Sequence, residues 1–460
     1  MKIGRIDSSI HDVLAIGFGP ANIALAVAHE ESGSRLDLHF VEQASETNWQ
    51  PTMLLDGSDI QNNPLRDLVT PRNPKSHYTF VNYLKCESRL FEYLNLGVHY
   101  PLRKDYARYL RWVSKFFAHS VTYGAGASDV TFDPRAGRWV VDTDKGRFEA
   151  AALVVGTGRS SNIPEIFAPH LGPRVFHLSS YLDRLAALGK SLKSIAVVGG
   201  SQSAVEILLD LIARDRQLEI HSIHRSFAMR QKDTSPFSDR VYFPEFVDYF
   251  FNVNQAARSE LQRQLRPTNY NSADIDVLHK LYLTLYEEQL DERPRVRIHN
   301  NTYATKVRAD ERGVTLRLRE RFLGREEDVP VDAVVLATGF KDLGTGEGAE
   351  LFPPLLSNVA DGLARRPDGA LDVRRDYSVI SATGRPIYLN GMCESSHGLG
   401  DAGSFSLLSL RSMDILTSLE RALSRDGRPE GSIAAALDWD GLSSNLDAPR
   451  IKVRIGPGCT

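Results

Sequence analysis

Cysteine is almost missing from this sequence: Cys86, Cys393 and Cys459 are the three in 460 residues. No two are close enough to form a CxxC redox pair or a zinc knuckle, so no cysteine-built metal centre is expected, and the scarcity suits a reducing compartment. Long apolar runs are missing too. No window of about 18 apolar residues occurs, so no helical membrane span is expected. The opening MKIGRIDSSIHDV has no apolar stretch of signal-peptide length. Positive charge is not in excess either. Lys and Arg number 55 against 58 Asp and Glu, a net charge of −3, which argues against a nucleic-acid or membrane-surface binder. Short-period repeats and low-complexity tracts are lacking, which excludes a solenoid. A cytoplasmic, globular chain that acts on small molecules is the expectation, with two or three domains for its length.

What the sequence does have is a strand–turn–helix–strand pattern, written twice. "VLAI" (13–16) reads as a buried strand, "PANIALAVAHEE" as a helix and "LDLHFVEQ" (36–43) as a second strand. The pattern returns with "SIAVVGG" (194–200), "SQSAVEILLDLIARD" and "LEIHSIHR" (218–225). Two further strand-and-turn units, "AALVVGTGR" (151–159) and "DAVVLATGF" (332–340), match one another. Residues 255–292 read as helical and interrupt the second unit before "VRIHN"; the tail after Arg425 is weakly patterned.

The first turn is Gly17-Phe18-Gly19-Pro20-Ala21-Asn22, and Glu42-Gln43 end the next strand. Glycines there let the backbone approach a pyrophosphate, the helix N-terminus offers N–H donors, and a carboxylate accepts from a ribose diol. Asn22 stands where GxGxxG has its third glycine. A ligand-free tight turn is the alternative reading. The second turn is Gly199-Gly200-Ser201-Gln202-Ser203-Ala204, and its strand closes on His224-Arg225, with Arg230 five residues on. A guanidinium in place of an acid suits a 2′-phosphate, so this site reads as NADPH; the alternative is that Arg225 is a solvated strand-end charge.

Two such sites imply a flavoprotein in which NADPH reduces FAD. The fold class expected is α/β, with two Rossmann-like domains: residues 1–170 and 331–460 for FAD, 171–254 and 293–330 for NADPH, and a helical substrate-binding insertion at 255–292. Without a dithiol there is no disulfide reductase. The Baeyer–Villiger signature FxGxxxHxxxW is not found; the nearest text is "VFHLSSYLD". Oxygen chemistry on another nucleophile remains. An NADPH oxidase or quinone-type reductase and a non-catalytic redox sensor are the rival classes.

Over about residues 10–425 the chain resembles the flavin-dependent N-hydroxylating monooxygenases of siderophore biosynthesis, which act on ornithine and lysine. "IGFGPAN", "QNNPLRDLVTPRNPKSHYTFVNYL", "YPLRKDYARYL", "VVGGSQSAVEI", "MRQKDTSPF", "TNYNSADIDVL", "LATGF" and "HGL…LLS" carry the likeness, in this order. The resemblance implies that FAD, reduced by NADPH, forms a C4a-hydroperoxide with O2 that a neutral primary amine attacks, while the protein positions and shields. It places Gln61 against the flavin ring and Trp49 and Gln50 at its edge, with Gln50 where many relatives have histidine. It makes Asn269 a bridge between nicotinamide ribose and substrate; the bland reading is a turn asparagine. Gln43, Arg103, Thr338, Gly339 and Leu408 are assigned to the cofactors and Ser409 to the substrate. His397 reads equally as a core histidine. "HGLGDAGSFSLLS" is about four residues longer than expected, over 398–406. A dimer or tetramer is implied.

One departure bears on the substrate. In the amino-acid hydroxylases resembled, the segment aligned with "GSDIQ" carries a lysine where Asp59 stands, which pairs with the substrate carboxylate. The asparagine expected in "SPFSDRV" is Asp239. Two acids suit a second ammonium rather than a carboxylate, so the expectation is a short diamine, cadaverine or putrescine, anchored at Asp59 or Asp239, with Asp401 as a weaker third anchor. The stated alternative is lysine or ornithine, and "DGSD" is also turn-like.

Overall fold

The computed structural model describes residues 9–346 and 348–424; the tail beyond them, with Cys459, lies outside the described residues. The first unit is β1 (Ser9–Ile16), α1 (Pro20–Ser32) and β2 (Leu38–Glu42). Helices α2 (Phe80–Cys86), α3 (Leu90–Leu96) and α4 (Arg103–Ser114) follow, then β3 (Val121–Tyr123), β4 (Ala127–Asp133), β5 (Arg138–Thr143) and β6 (Gly146–Val155). The second unit runs β7 (Val175–His177), α5 (Tyr181–Leu188), β8 (Ser194–Val198), α6 (Gln202–Arg214) and β9 (Glu219–Ile223). Helices α7 (Pro244–Asn252), α8 (Gln255–Leu265) and α9 (Ile275–Leu290) lead to β10 (Val296–His299), β11 (Thr302–Ala309), β12 (Val314–Glu320), β13 (Glu326–Val331) and β14 (Ala333–Leu336). β15 (Ser378–Val379), β16 (Ile387–Leu389), α10 (Glu394–His397) and α11 (Leu408–Ser424) complete the described chain.

Three sheets result. The first has β15–β16–β6–β1–β2–β3 in order, with the β4–β5 hairpin attached to β6. The second is β10–β9–β8–β14–β7, parallel throughout. The third is the antiparallel β11–β12–β13. Val13–Ile16 and Ala333–Leu336 are unbroken apolar runs because both faces of their parallel strands are covered. Helix α1 is buried from Asn22 to Ala28 since α11 packs along its far side. The two expected βαβ units are therefore present. One boundary moves. β14, assigned to the FAD domain with 331–460, hydrogen-bonds between β7 and β8 in the second sheet, so the return to the first domain comes after it. The insertion at 255–292 is helical, as α8 and α9.

Both nucleotide strands end level with their neighbours: Ile16 is opposite Val155 and Val198 opposite Leu336. The turns thus lie at the carboxyl edges of the sheets, where open α/β folds bind their ligands. Between the domains, the Arg103 guanidinium grips Glu206 of α6 with both arms, 2.9 and 3.0 Å, and also donates to the carbonyls of Met53 and Asp59. Arg103, expected at a cofactor, is instead occupied by this bridge. Both of its terminal nitrogens donate to protein acceptors.

Candidate active site

The first turn fits a dinucleotide. Gly17 has φ +88°, and a Cβ there would stand 2.7 Å from the Gly156 carbonyl oxygen. Gly19, the N-cap of α1, has open space where its Cβ would be. Pro20 holds the first helical position and no acid occupies the first turn, so the helix N-terminus faces outward ready for an anion. Glu42 accepts from the backbone N–H groups of Phe18 (2.7 Å) and Ala44 (2.9 Å), which fixes its carboxylate at the mouth of the turn. Asn22 is different. It is fully buried, donates to the carbonyls of Ile16 (3.2 Å) and Gly17 (2.7 Å), and accepts from Asn390 (3.0 Å). It knits the turn together. Ala21 lies against Gly391 at the first sheet's edge, and Gln43 is exposed just past Glu42.

The second turn repeats the design. Gly199 has φ +146°, and a Cβ there would collide with the Ala337 carbonyl. Ser201 caps α6, again without an acid in the first turn, and Ser203 follows in that turn. Gln202 is committed: its amide donates to Glu206 (3.0 Å) and accepts from the Asp274 N–H (2.8 Å). Arg225 and Arg230 are exposed beyond β9. Thr338 donates to the Asn162 carbonyl (2.5 Å), and the Gly339 carbonyl accepts from Asn162 N–H and from His177; these two residues join β14 to the segment after β6.

Between the domains lies a polar cleft around Gln61. Its backbone is left-handed, φ +52°, because its N–H turns back onto the Asp59 carboxylate at 2.8 Å. Its side chain donates to Asp274 (2.5 Å) and accepts from Lys232 (3.5 Å), whose ammonium is 3.9 Å from Asp274. Burial above all, then Asp274, Glu206 and Asp276, push the Asp59 carboxyl up to about 6. Arg66 follows in the same loop as Gln61. Its guanidinium donates to Ser406 (3.3 Å) and lies over the Tyr242 ring at 5.8 Å. The Tyr100 hydroxyl marks where the charges converge: burial raises its pKa first, Asp274, Asp239 and Asp59 raise it further, and Arg66 opposes them. Asp239 is raised by burial and lowered by Arg66 and Lys232. Two cations, Arg66 and Lys232, thus act on Asp239, and sequence reasoning named neither. Each sits inside a segment already quoted as characteristic, "NNPLRDL" and "MRQKDTSPF", so the signal was present and unread.

Comparison with known proteins decides the family. Residues 9–342 match the family model of L-lysine 6-monooxygenase/L-ornithine 5-monooxygenase. The L-ornithine N(5)-monooxygenase of Pseudomonas aeruginosa is 34% identical over 453 residues, 95% of this chain and 98% of that protein. The chain belongs to this family. Among solved structures, an L-lysine 6-monooxygenase from Pseudomonas syringae superposes with a TM-score of 0.80 at 37% identity, over 90% of this chain and 100% of that one. An ornithine N-hydroxylase from Kutzneria, solved with reduced FAD, NADP+ and L-ornithine, gives 0.82 at 30% identity over 90% and 99%. As a member, the chain is an NADPH-dependent flavin N-monooxygenase that uses FAD and O2. No helix among the described residues is long and apolar enough to cross a membrane.

Within this N-monooxygenase, two residues expected at the substrate carry unpartnered polar atoms. The Asn269 amide nitrogen and the Ser409 hydroxyl are buried and have no protein partner; such groups cost free energy until something bonds them. Leu408 opens α11 beside Ser409. Trp49 packs edge-on against Tyr106 and Phe405, 5.9 and 5.3 Å between centroids, so it anchors the long loop 398–406 to the first domain. Gln50 is exposed and left-handed at φ +46°. His397 is a core histidine. It is fully buried, bonded to Ser396 (2.9 Å) and the Arg375 carbonyl (3.1 Å), stacked on Tyr377, and held down to about 4 by burial. Asp401 does not serve as an anchor either. It is buried in an ion pair with Arg411 (2.6 Å) and accepts from the Cys393 N–H.

Proposed function

We propose that this chain hydroxylates the side-chain amine of a basic α-amino acid, L-ornithine or L-lysine, for hydroxamate siderophore synthesis. The observation that carries the reading is the opposed pair of charges at one end of the cleft. Arg66 meets a carboxylate and Asp239 meets an α-ammonium, so the zwitterionic end of an amino acid finds both its partners. A diamine would leave Arg66 unanswered. The names of the relatives support the same choice. FAD fits the Gly17–Glu42 cradle and, when bound, supplies the oxygen activation after NADPH reduces it. NADPH fits the Gly199–Ser203 turn, with Arg225 at its 2′-phosphate. The rest falls to the chain's own groups. Gln61, held by Asp274 and Lys232, stands as a rigid wall of the cleft. The unpartnered Ser409 hydroxyl can accept from the distal amine, the Asn269 amide nitrogen can donate to the nicotinamide ribose, and Phe405, seated on Trp49, helps exclude water. Little acid–base machinery is required beyond removal of the amine's proton. The deciding test compares ornithine, lysine, putrescine and cadaverine by hydroxylamine formed per NADPH, with wild type, Arg66→Ala and Asp239→Asn. Ornithine or lysine should give the highest kcat/KM, and Arg66→Ala should lose roughly ten- to hundredfold through KM, the worth of one charge-assisted contact. A diamine preferred by the wild type and indifferent to Arg66→Ala would overturn the reading.

A further inference from the structure

Helix α9 begins on an aspartate that does not cap it. Asp274 is the N-cap residue, where an aspartate carboxylate ordinarily accepts from first-turn N–H groups, yet its side chain makes no capping bond. The carboxylate turns away from its own helix. It accepts from the Gln61 amide nitrogen at 2.5 Å, 213 positions away in the chain. Gln61 meets it from a left-handed backbone, φ +52°, which a residue with a side chain seldom adopts. Strain of this kind persists where surrounding contacts fix it, and it collects at functional sites. The amide is held on both sides. Lys232 Nζ stands 3.5 Å from the Gln61 carbonyl oxygen and 3.9 Å from Asp274. A carboxylate only accepts and an ammonium only donates, so one orientation of the amide satisfies both. That orientation leaves one amide N–H and one carbonyl lone pair for a ligand.

Asp274 comes to this contact on a fixed backbone. Its N–H donates to the side-chain oxygen of Gln202, the first residue of α6, at 2.8 Å. The Gln202 N–H in turn donates to the Ser272 carbonyl at 3.0 Å. From the other side the Lys232 N–H donates to the Ala273 carbonyl, and the Ala273 N–H to that of Arg230, both at 2.8 Å. The carboxylate is thus built into the frame of the second nucleotide turn, whereas the amide it holds belongs to the loop between β2 and α2.

Resting on the reading of function above, in which Gln61 walls the cleft beside the flavin, we infer that Asp274 is a positioning residue for hydroxylation. It sets which way the Gln61 amide faces the flavin, from a frame fixed to the NADPH turn. Helix capping requires none of this. Serine or asparagine would start α9 as well as aspartate does. Serine is too short to hold Gln61, and asparagine, which both donates and accepts, holds the amide in either orientation. Of the good caps, only aspartate both reaches and discriminates.

The test uses the FAD-loaded enzyme with Asp274→Asn, Asp274→Ser, Gln61→Ala and the double variant Gln61→Ala/Asp274→Asn. Hydroxylamine formed per NADPH consumed is measured with the amine the wild type prefers, together with both KM values. Absorption and fluorescence of the oxidised flavin are recorded without turnover. Asp274→Asn and Asp274→Ser should keep the wild-type melting temperature and KM values. They should form about tenfold less hydroxylamine per NADPH, the worth of one oriented hydrogen bond, with peroxide as the other product. Their flavin spectra should shift toward that of Gln61→Ala. The double variant should be no worse than Gln61→Ala, since Asp274 acts only through that amide. Wild-type coupling and spectrum in Asp274→Ser or Asp274→Asn would make the residue a helix start and nothing more, which overturns the inference; additive losses in the double variant do the same. A wild type that hydroxylates no amine overturns the reading of function, and the flavin spectra still decide on Asp274. If neither Asp274 variant folds, Lys232→Met decides. It leaves the helix start untouched and should shift coupling and spectrum in the same direction; no shift overturns the inference.

Discussion

In the first nucleotide turn the Gly17 N–H donates to the Val41 carbonyl and the Gly156 N–H to Ile16; in the second, Gly199 donates to Ile223 and Ala337 to Val198. The backbone pattern is the same. The side chains at matching places are exchanged. Asn22, five residues after Gly17, fills the space beside Gly156, where a Cβ would stand 2.5 Å from the Asn22 amide. Ala204, five residues after Gly199, and Ala337, which matches Gly156, both lie in the second domain's core. The large residue and the glycine of the first domain are two alanines in the second. The comparison teaches that the missing third glycine of the first turn is not a weakened motif. Its volume has been moved to the far side of the contact, and the amide bonds the Gly17 carbonyl and adds a second donor to the Ile16 carbonyl, which already accepts from the Gly156 N–H.

The largest effects should follow from the glycines both turns share. Gly17→Ala and Gly199→Ala each force a Cβ into backbone at a left-handed φ. Gly17→Ala should purify without flavin. Gly199→Ala should keep its flavin and lose reduction by NADPH, because the first domain is untouched. Flavin absorbance and anaerobic NADPH titration separate the two; flavin retained in full by Gly17→Ala would break the comparison. Next come the exchanged partners. Asn22→Ala removes the buried bonds to the Gly17 carbonyl and from Asn390 and should cost about 1–3 kcal/mol, and Gly156→Ala should cost a similar amount through overpacking. The double variant imitates the second turn and should be more stable than the sum of the two losses, a coupling read from denaturant midpoints in a double-mutant cycle. Additive losses would mean the matching is coincidental. The smallest effect lies at the strand ends, where Glu42 and Arg225 distinguish the two nucleotides. Arg225→Ala should lower kcat/KM for NADPH by about ten- to hundredfold and leave NADH unchanged. Equal efficiency of the two nucleotides in the wild type would remove the distinction.

Much of this molecule was legible in its sequence because local rules wrote it. Glycine turns between an apolar strand and a helix announce themselves, and so both βαβ units, Gly17, Gly19, Glu42 and the Gly199 turn were found where expected. The strand 333–336 was placed in the wrong sheet because its apolar run says only that both faces are buried, not against which neighbours. Arg103 and Asp401 read as site residues since a charge in a characteristic segment looks functional; only contacts distant in sequence, Glu206 and Arg411, reveal that they are consumed. The substrate end was read in the same way, from Asp59 and Asp239 without Arg66, which reaches Tyr242 from a segment 176 positions away in the chain.

The Arg103–Glu206 clasp has one more consequence. It fastens the helix that begins at the nicotinamide turn to the strand-like segment that ends at Gln61, with both side chains nearly sealed from water, 10% and 5% exposed. Removing either half would strand a buried charge, at a cost of about 3–5 kcal/mol. Any rotation of the second domain against the first must therefore break this clasp before it can begin, so one ion pair sets the threshold for opening the space between the two nucleotide turns.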